Sequence, residues 1–256
     1  MNSIRTFLII VWDLTLKGIK VRYNKSYLNF LFSLIQPILG MAVYAIVFWR
    51  IGHFYSENIP YPLFNFVGLA PWGFLALSLN YSAGSLLANY NLITRIQFPR
   101  AALPVSTILI QLILFLLNLV FLSVLMIYFR VPFTPYALWA LPVFAVQVIL
   151  MVGMSLFFSV VITYFRSTRN LLPAMTQLWM YGSPVFYSIR VIGKKYMGFY
   201  KLNPMTGIID GYRAAILHHQ APSMETLLPA LGVSAAVFVA GCLLFRKFEK
   251  NIADIV

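Results

Sequence analysis

Residues 101–129 run AALPVSTILIQLILFLLNLVFLSVLMIYF, from Ala101 to Phe129, without one Lys, Arg, Asp, Glu or His. A helix rises 1.5 Å per residue, so about 20 residues cross the roughly 30 Å hydrocarbon core of a bilayer. This stretch is long enough to do so. Inside lipid an α-helix pairs its own N–H and C=O groups, whereas barrel strands are short and alternate apolar with polar residues. Reading outward from it, between charged residues, gives five more runs: 26–49, 58–94, 131–165, 170–189 and 226–245. Together they predict an all-α membrane protein with one domain over 1–256. Its six spans lie at about 28–49, 63–87, 101–128, 136–164, 170–187 and 226–245.

Composition agrees. Apolar residues make up 61% of the chain and charged residues 10%, against the quarter or so that a soluble surface carries. Lys and Arg set the orientation. With the N-terminus inside, twelve basic residues fall on the cytoplasmic side and seven outside, which predicts both termini in the cytoplasm. Five of those seven lie between the fifth and sixth spans. A net charge of +13 spread over both faces suits anionic lipid head groups or a phosphate-bearing substrate and argues against nucleic acid. The single cysteine, Cys242, excludes a disulfide or thiolate metal site within one chain.

The first 22 residues have helical periodicity. Asn2, Thr6, Asp13, Lys17 and Lys20 share one stripe, while Ile4, Phe7, Leu8, Val11, Leu14 and Ile19 lie opposite. This predicts a helix in the interface plane over 1–25, with its polar face in the cytosol. Two readings stay open for it: a plain anchor, or a helix that also touches a cytosolic partner or a substrate head group. The link from Asn89 to Arg100 places Leu92, Ile93, Ile96 and Gln97 at helical spacing, with Pro99 as a stop, and predicts a short cytoplasmic helix. Segment 188–224 is too charged to cross lipid, yet Ile208, Ile209, Tyr212, Ala215 and Ile216 repeat helically. One or two half-buried or re-entrant helices at the outer mouth follow.

What the chain lacks narrows its function. No Asp or Glu falls inside the six runs, and His53, His218 and His219 all lie outside them, so the usual proton-relay groups are missing. No P-loop occurs: Gly193-Lys194-Lys195 lacks the earlier glycine and the hydroxyl. Active transport would need ATP and Mg on another subunit; the chain itself calls for no cofactor. Asp210 and Arg213, one turn apart, read as an ion pair in preference to an active site. The buried polar residues Asn29, Gln36, Asn65, Asn80, Asn118, Gln147 and Gln177 face either neighbouring helices or a watery path. Aromatics such as Phe30, Tyr44, Trp179, Tyr181 and Tyr187 are either lipid-facing or pore-lining. A membrane-embedded glycosyl- or acyltransferase would need a convergent carboxylate or histidine set, which is absent from the sequence pattern. An ion-selective channel would need a charged ring.

Several stretches resemble one family. They are Arg22-Tyr23-Asn24-Lys25-Ser26-Tyr27-Leu28 with Leu34-Ile35-Gln36-Pro37, then Leu92 through Arg100 with Leu103-Pro104. Ser183-Pro184-Val185-Phe186-Tyr187, Leu202-Asn203-Pro204-Met205-Thr206-Gly207 and Asp210-Gly211-Tyr212-Arg213 follow in the same order. The set is similar to type-2 ABC exporter permeases, and its shortness resembles the polysaccharide branch, O-antigen permeases above all. Phe32 stands where that family usually carries a tryptophan. The resemblance implies a homodimer in the bacterial inner membrane, with two ATP-binding-cassette subunits docked inside and a lipid-linked glycan as substrate. It implies ATPase coupling at Leu92, Arg95, Ile96, Phe98 and Arg100, and head-group contact at Lys17, Lys20, Arg22 and Lys25. An outer gate falls at Asn203, Pro204, Asp210 and Arg213. Teichoic acid, capsule, drug or heme export are the alternatives within the superfamily.

Overall fold

A computed structural model of the chain describes residues 3–23, 35, 38–43, 46–47, 59–249 and 252. Lys25, Phe30 and Tyr44, with most of the first candidate span, lie outside the described residues. The helices are α1 (Ser3–Tyr23), α2 (Tyr61–Ala83), α3 (Ser85–Ala88), α4 (Tyr90–Arg95), α5 (Ala102–Tyr128), α6 (Ala140–Tyr164), α7 (Thr168–Tyr181), α8 (Lys194–Lys201), α9 (Pro204–Ile216) and α10 (Met224–Phe248). A 3₁₀ turn, Pro135–Trp139, leads into α6. Among the described residues four segments are long and apolar enough to cross a membrane: α2, α5, the 3₁₀ turn with α6, and α10. All begin and end within a few residues of the expected spans.

α2 is the central post. In its most apolar stretch 72% of the residues are buried, against 22% for α10, so α2 touches protein on nearly every side while α10 shows lipid most of its surface. Phe74, Phe115 and Phe144 stack their rings across α2, α5 and α6, with centroids 4.8–6.2 Å apart. Between α6 and α10 the backbones themselves meet: a Cβ at Gly153 would come within 2.5 Å of the Phe238 Cα. Membrane helices associate through such small-residue contacts because lipid supplies no hydrophobic drive between them.

The bundle has two distinct ends. At one, here the link end, Leu86, Ile93, Leu103, Leu156, Val160, Phe245 and Ile252 form an apolar cluster with Leu14 packed against it. α1, the 84–101 link and the C-terminal tail meet there. At the opposite end lie the 129–139 connection and segment 182–223, joined where Thr134 Oγ1 and His219 Nδ1 lie 3.1 Å apart.

Three expectations need correction. The fifth candidate span, expected over 170–187, is helical only to Tyr181; its 14 residues cover about 21 Å, short of the hydrocarbon core. Gly182 caps it, and the following carbonyls are bonded to other helices in place of a next turn. The short helix of the 89–100 link ends at Arg95, with Ile96 already extended. Finally, α1 does not turn its whole apolar stripe to lipid. Val11 and Thr15 are buried against α5, and a side chain at Gly18 would strike Ile110. Small residues at 15 and 18 let the two helices close up. Ile4, Leu8 and Trp12 form the apolar stripe that remains exposed.

Candidate functional site

The opposite end is built around a short turn, 182–188, that enters the bundle and leaves again. Arg213 of α9 is only 3% exposed. Its guanidinium donates to the carbonyls of Pro184 (2.6 Å), Val185 (2.6 Å) and Tyr187 (3.0 Å). It also lies 3.7 Å over the Phe64 ring. A buried cation is costly unless dipoles replace its water; here three carbonyls and an aromatic face do so. From α2, Tyr61 donates to the Phe186 carbonyl at 2.9 Å. Gly68 leaves the room this needs, since a Cβ there would sit 2.7 Å from the Val185 oxygen.

Asn203 holds the other flank. Its Oδ1 accepts from Trp179 Nε1 (3.1 Å) and from the Met205 amide (3.1 Å), capping α9, and its Nδ2 donates to Ser183 Oγ at 2.9 Å. Pro204 occupies the first position of α9, where a missing N–H costs nothing. Asp210 accepts from Thr226 Oγ1 at 3.0 Å, tying α9 to α10. Gln147 of α6 bridges two neighbours: its Nε2 donates to the Pro71 carbonyl (2.8 Å) and its Oε1 accepts from the Tyr212 hydroxyl (3.0 Å). Burial pushes that hydroxyl above the ordinary tyrosine range, so it remains a neutral donor.

Of the gate candidates, Asn203 and Arg213 hold the turn, Pro204 starts α9 beside Asn203, and Asp210 is bonded to Thr226 of α10. Of the aromatic candidates, Trp179 packs edge-on against Trp72 at 5.2 Å and anchors Asn203. Tyr181 is exposed, and the Tyr187 hydroxyl lies 3.1 Å from that of Tyr200. Sequence reasoning missed Tyr61, Phe64 and Gly68. Their position just inside Pro60-Tyr61-Pro62 marks the mouth of a span, but nothing in their types announces a carbonyl clamp.

At the link end the coupling candidates divide. Leu92 and Phe98 pack on the apolar cluster as pegs. Arg95 and Ile96 point outward, Ile96 being 57% exposed, with Tyr90 exposed beside them. Arg100 is held within the chain: its amide donates to Glu249 Oε1 at 3.2 Å and its guanidinium to the Glu249 carbonyl. Lys17 and Lys20 are exposed on α1, and Arg22 lies in its last turn. Among the described residues no three His, Cys, Asp or Glu gather as metal ligands.

Comparison with known proteins decides the class. The model of the family described as ABC-2 type transporter matches residues 11–217, from α1 through the clamp. The chain belongs to the ABC-2 type transporter family. It is 28% identical to the O-antigen export system permease protein RfbA of Myxococcus xanthus, over 94% of this chain and 93% of that relative. An RfbA of Klebsiella pneumoniae is also 28% identical, over 95% and 93%. The polysialic acid transport protein KpsM of Escherichia coli is 26% identical over 82% of this chain and 81% of its own length. As an ABC-2 type protein this is a membrane-integral transporter subunit. The family match covers both the turn clamped by Arg213 and the exposed tip at Arg95–Ile96.

Proposed function

We propose that this chain is the membrane permease of an ATP-driven exporter that carries lipid-linked polysaccharide, an O-antigen type glycan, across the bacterial inner membrane. The observation that supports it most is end-to-end similarity to two RfbA permeases with almost no unmatched length on either side. Two copies enclose the path, and two ATP-binding-cassette subunits sit on the cytoplasmic side, which is the link end with both termini. There Tyr90, Arg95 and Ile96 offer an exposed tip to the ATPase. Leu92, Ile93 and Phe98 root that tip in the apolar cluster, so a push on it reaches α5, α6 and α10 together. Lys17 and Lys20 stand where a lipid pyrophosphate would meet the protein.

Deleting the gene tests the reading. Surface polysaccharide should disappear and lipid-linked glycan should accumulate inside; normal surface polymer would overturn it. A capsular polymer is the second reading, favoured by the KpsM similarity, and the same strain distinguishes it by which surface polymer is lost.

A further inference from the structure

A cavity of about 350 Å³ lies between α2, α5 and α7, with Gly40 of the first candidate span on its wall. Pockets that take small ligands run from about 300 to 1,000 Å³, so it has room for one. Its lining is mixed. Trp72 and Phe115 contribute aromatic rings, while Gln111, Asn118, Thr176 and Gln177 contribute amides and a hydroxyl.

Gln111 is the telling member. It is 2% exposed, and its Oε1 is buried without a hydrogen-bond partner. A buried acceptor left without a donor is destabilising. One helical turn pair further along α5, Asn118 lines the same cavity, and Gln177 stands exposed at its α7 rim.

Two glycines point the same way. Gly73, inside α2, and Gly40 both line the cavity, and a Cβ at either would meet nothing within 4 Å. A glycine inside a helix destabilises it relative to alanine, usually in return for close packing. Here a Cβ would meet open space. What the missing side chains maintain is open volume.

We infer that this cavity is a carbohydrate subsite within a single protomer, where the Gln111, Asn118 and Gln177 amides bond sugar hydroxyls. A sugar ring needs both parts of the lining: planar amides that donate and accept towards neighbouring hydroxyls, and apolar faces for its C–H groups. An acyl chain would leave the amides unpaired. The inference rests on the export reading and gives the glycan named contacts on α5 and α7.

The test uses the full chain in cells. Cys242→Ser removes the native thiol, and Gly73→Cys places a reporter in the cavity while keeping its amides. The probe is (2-trimethylammonioethyl) methanethiosulfonate, applied to cells that make the lipid-linked glycan and to cells blocked at its first sugar transfer. Labelling at position 73 should slow about tenfold when glycan is present, the protection of a site nine-tenths occupied. Equal labelling in both strains overturns the inference, whether fast, as with water alone, or slow, as with a lipid head group that both strains retain. No labelling in either also overturns it. If Gly73→Cys fails to accumulate, Gln111→Leu serves: it removes the amide from the cavity and should cut surface glycan about tenfold at normal protein level, and unchanged surface glycan overturns the inference. Gene deletion keeps the two proposals separable. If deletion abolishes surface glycan while position 73 is never protected, only the subsite fails.

Discussion

The two ends of this molecule are held by opposite means. At the clamp, a turn with little helix of its own is fixed by directed polar bonds: Arg213 to three carbonyls, Tyr61 to a fourth, Asn203 to a side chain and an amide. At the link end, α3 and α4 are short helices rooted by apolar pegs, with one polar tie between Arg100 and Glu249. Directed bonds in a low-dielectric setting fix one geometry and are lost together. Apolar pegs tolerate sliding. One end is suited to keeping a passage shaped, the other to receiving a displacement and passing it on.

Breaking the clamp should have the largest effect. Arg213→Leu removes the cation and leaves carbonyls unpaired, and losing one side of such a buried network costs about 3–5 kcal/mol. The thermal midpoint of the purified permease should fall sharply; an unchanged midpoint would mean the turn is held elsewhere. Arg213→Lys should recover only part of that loss, because an ammonium lacks the planar fork. Gly68→Ala drives a methyl against the Val185 carbonyl and should cost about 1–3 kcal/mol, read by the same melting experiment. Gln147→Leu leaves the Tyr212 hydroxyl without its acceptor, a loss of about 1–3 kcal/mol; a double variant with Tyr212→Phe should recover much of it. The smallest effect on stability belongs to the link end. Arg95→Glu with Ile96→Ser alters exposed side chains and should move the midpoint by no more than about 0.5 kcal/mol equivalent, yet abolish surface polymer. If the variant still exports, the exposed tip is not the docking point.

The same contrast explains what could be read from the residues alone. Long uncharged runs place α2, α5, α6 and α10 to within a few residues, because spanning lipid demands length and apolarity and little else. The Asn203 cap and Pro204 at the start of α9 obey local helix chemistry, yet they enter the sequence reading only as gate residues implied by the resemblance. The end of α7 was not legible. Pro184, Val185 and Phe186 look like more of an apolar span, and only distant partners on α2 and α9 turn them aside. Arg213 was legible only in part: Asp210 one turn away suggests an ion pair, but nothing local announces that the same guanidinium holds three backbone carbonyls. α1 hid its docking face because Val11 and Leu14 are as suitable for lipid as for α5. Gln111 drew no notice among more numerous amides; its meaning comes from the cavity it faces.

The docking of α1 on α5 also has a consequence in time. Thr15 reaches the Ser106 carbonyl, 91 residues further along the chain. At a synthesis rate of about 5–20 residues per second, α1 leaves the ribosome roughly 5–20 seconds before its partner exists. Through that interval the bilayer surface can carry its exposed apolar stripe. Ile4, Leu8 and Trp12 thus serve first as a temporary mooring for a newborn chain, and Val11, Thr15 and Gly18 take hold only when α5 arrives.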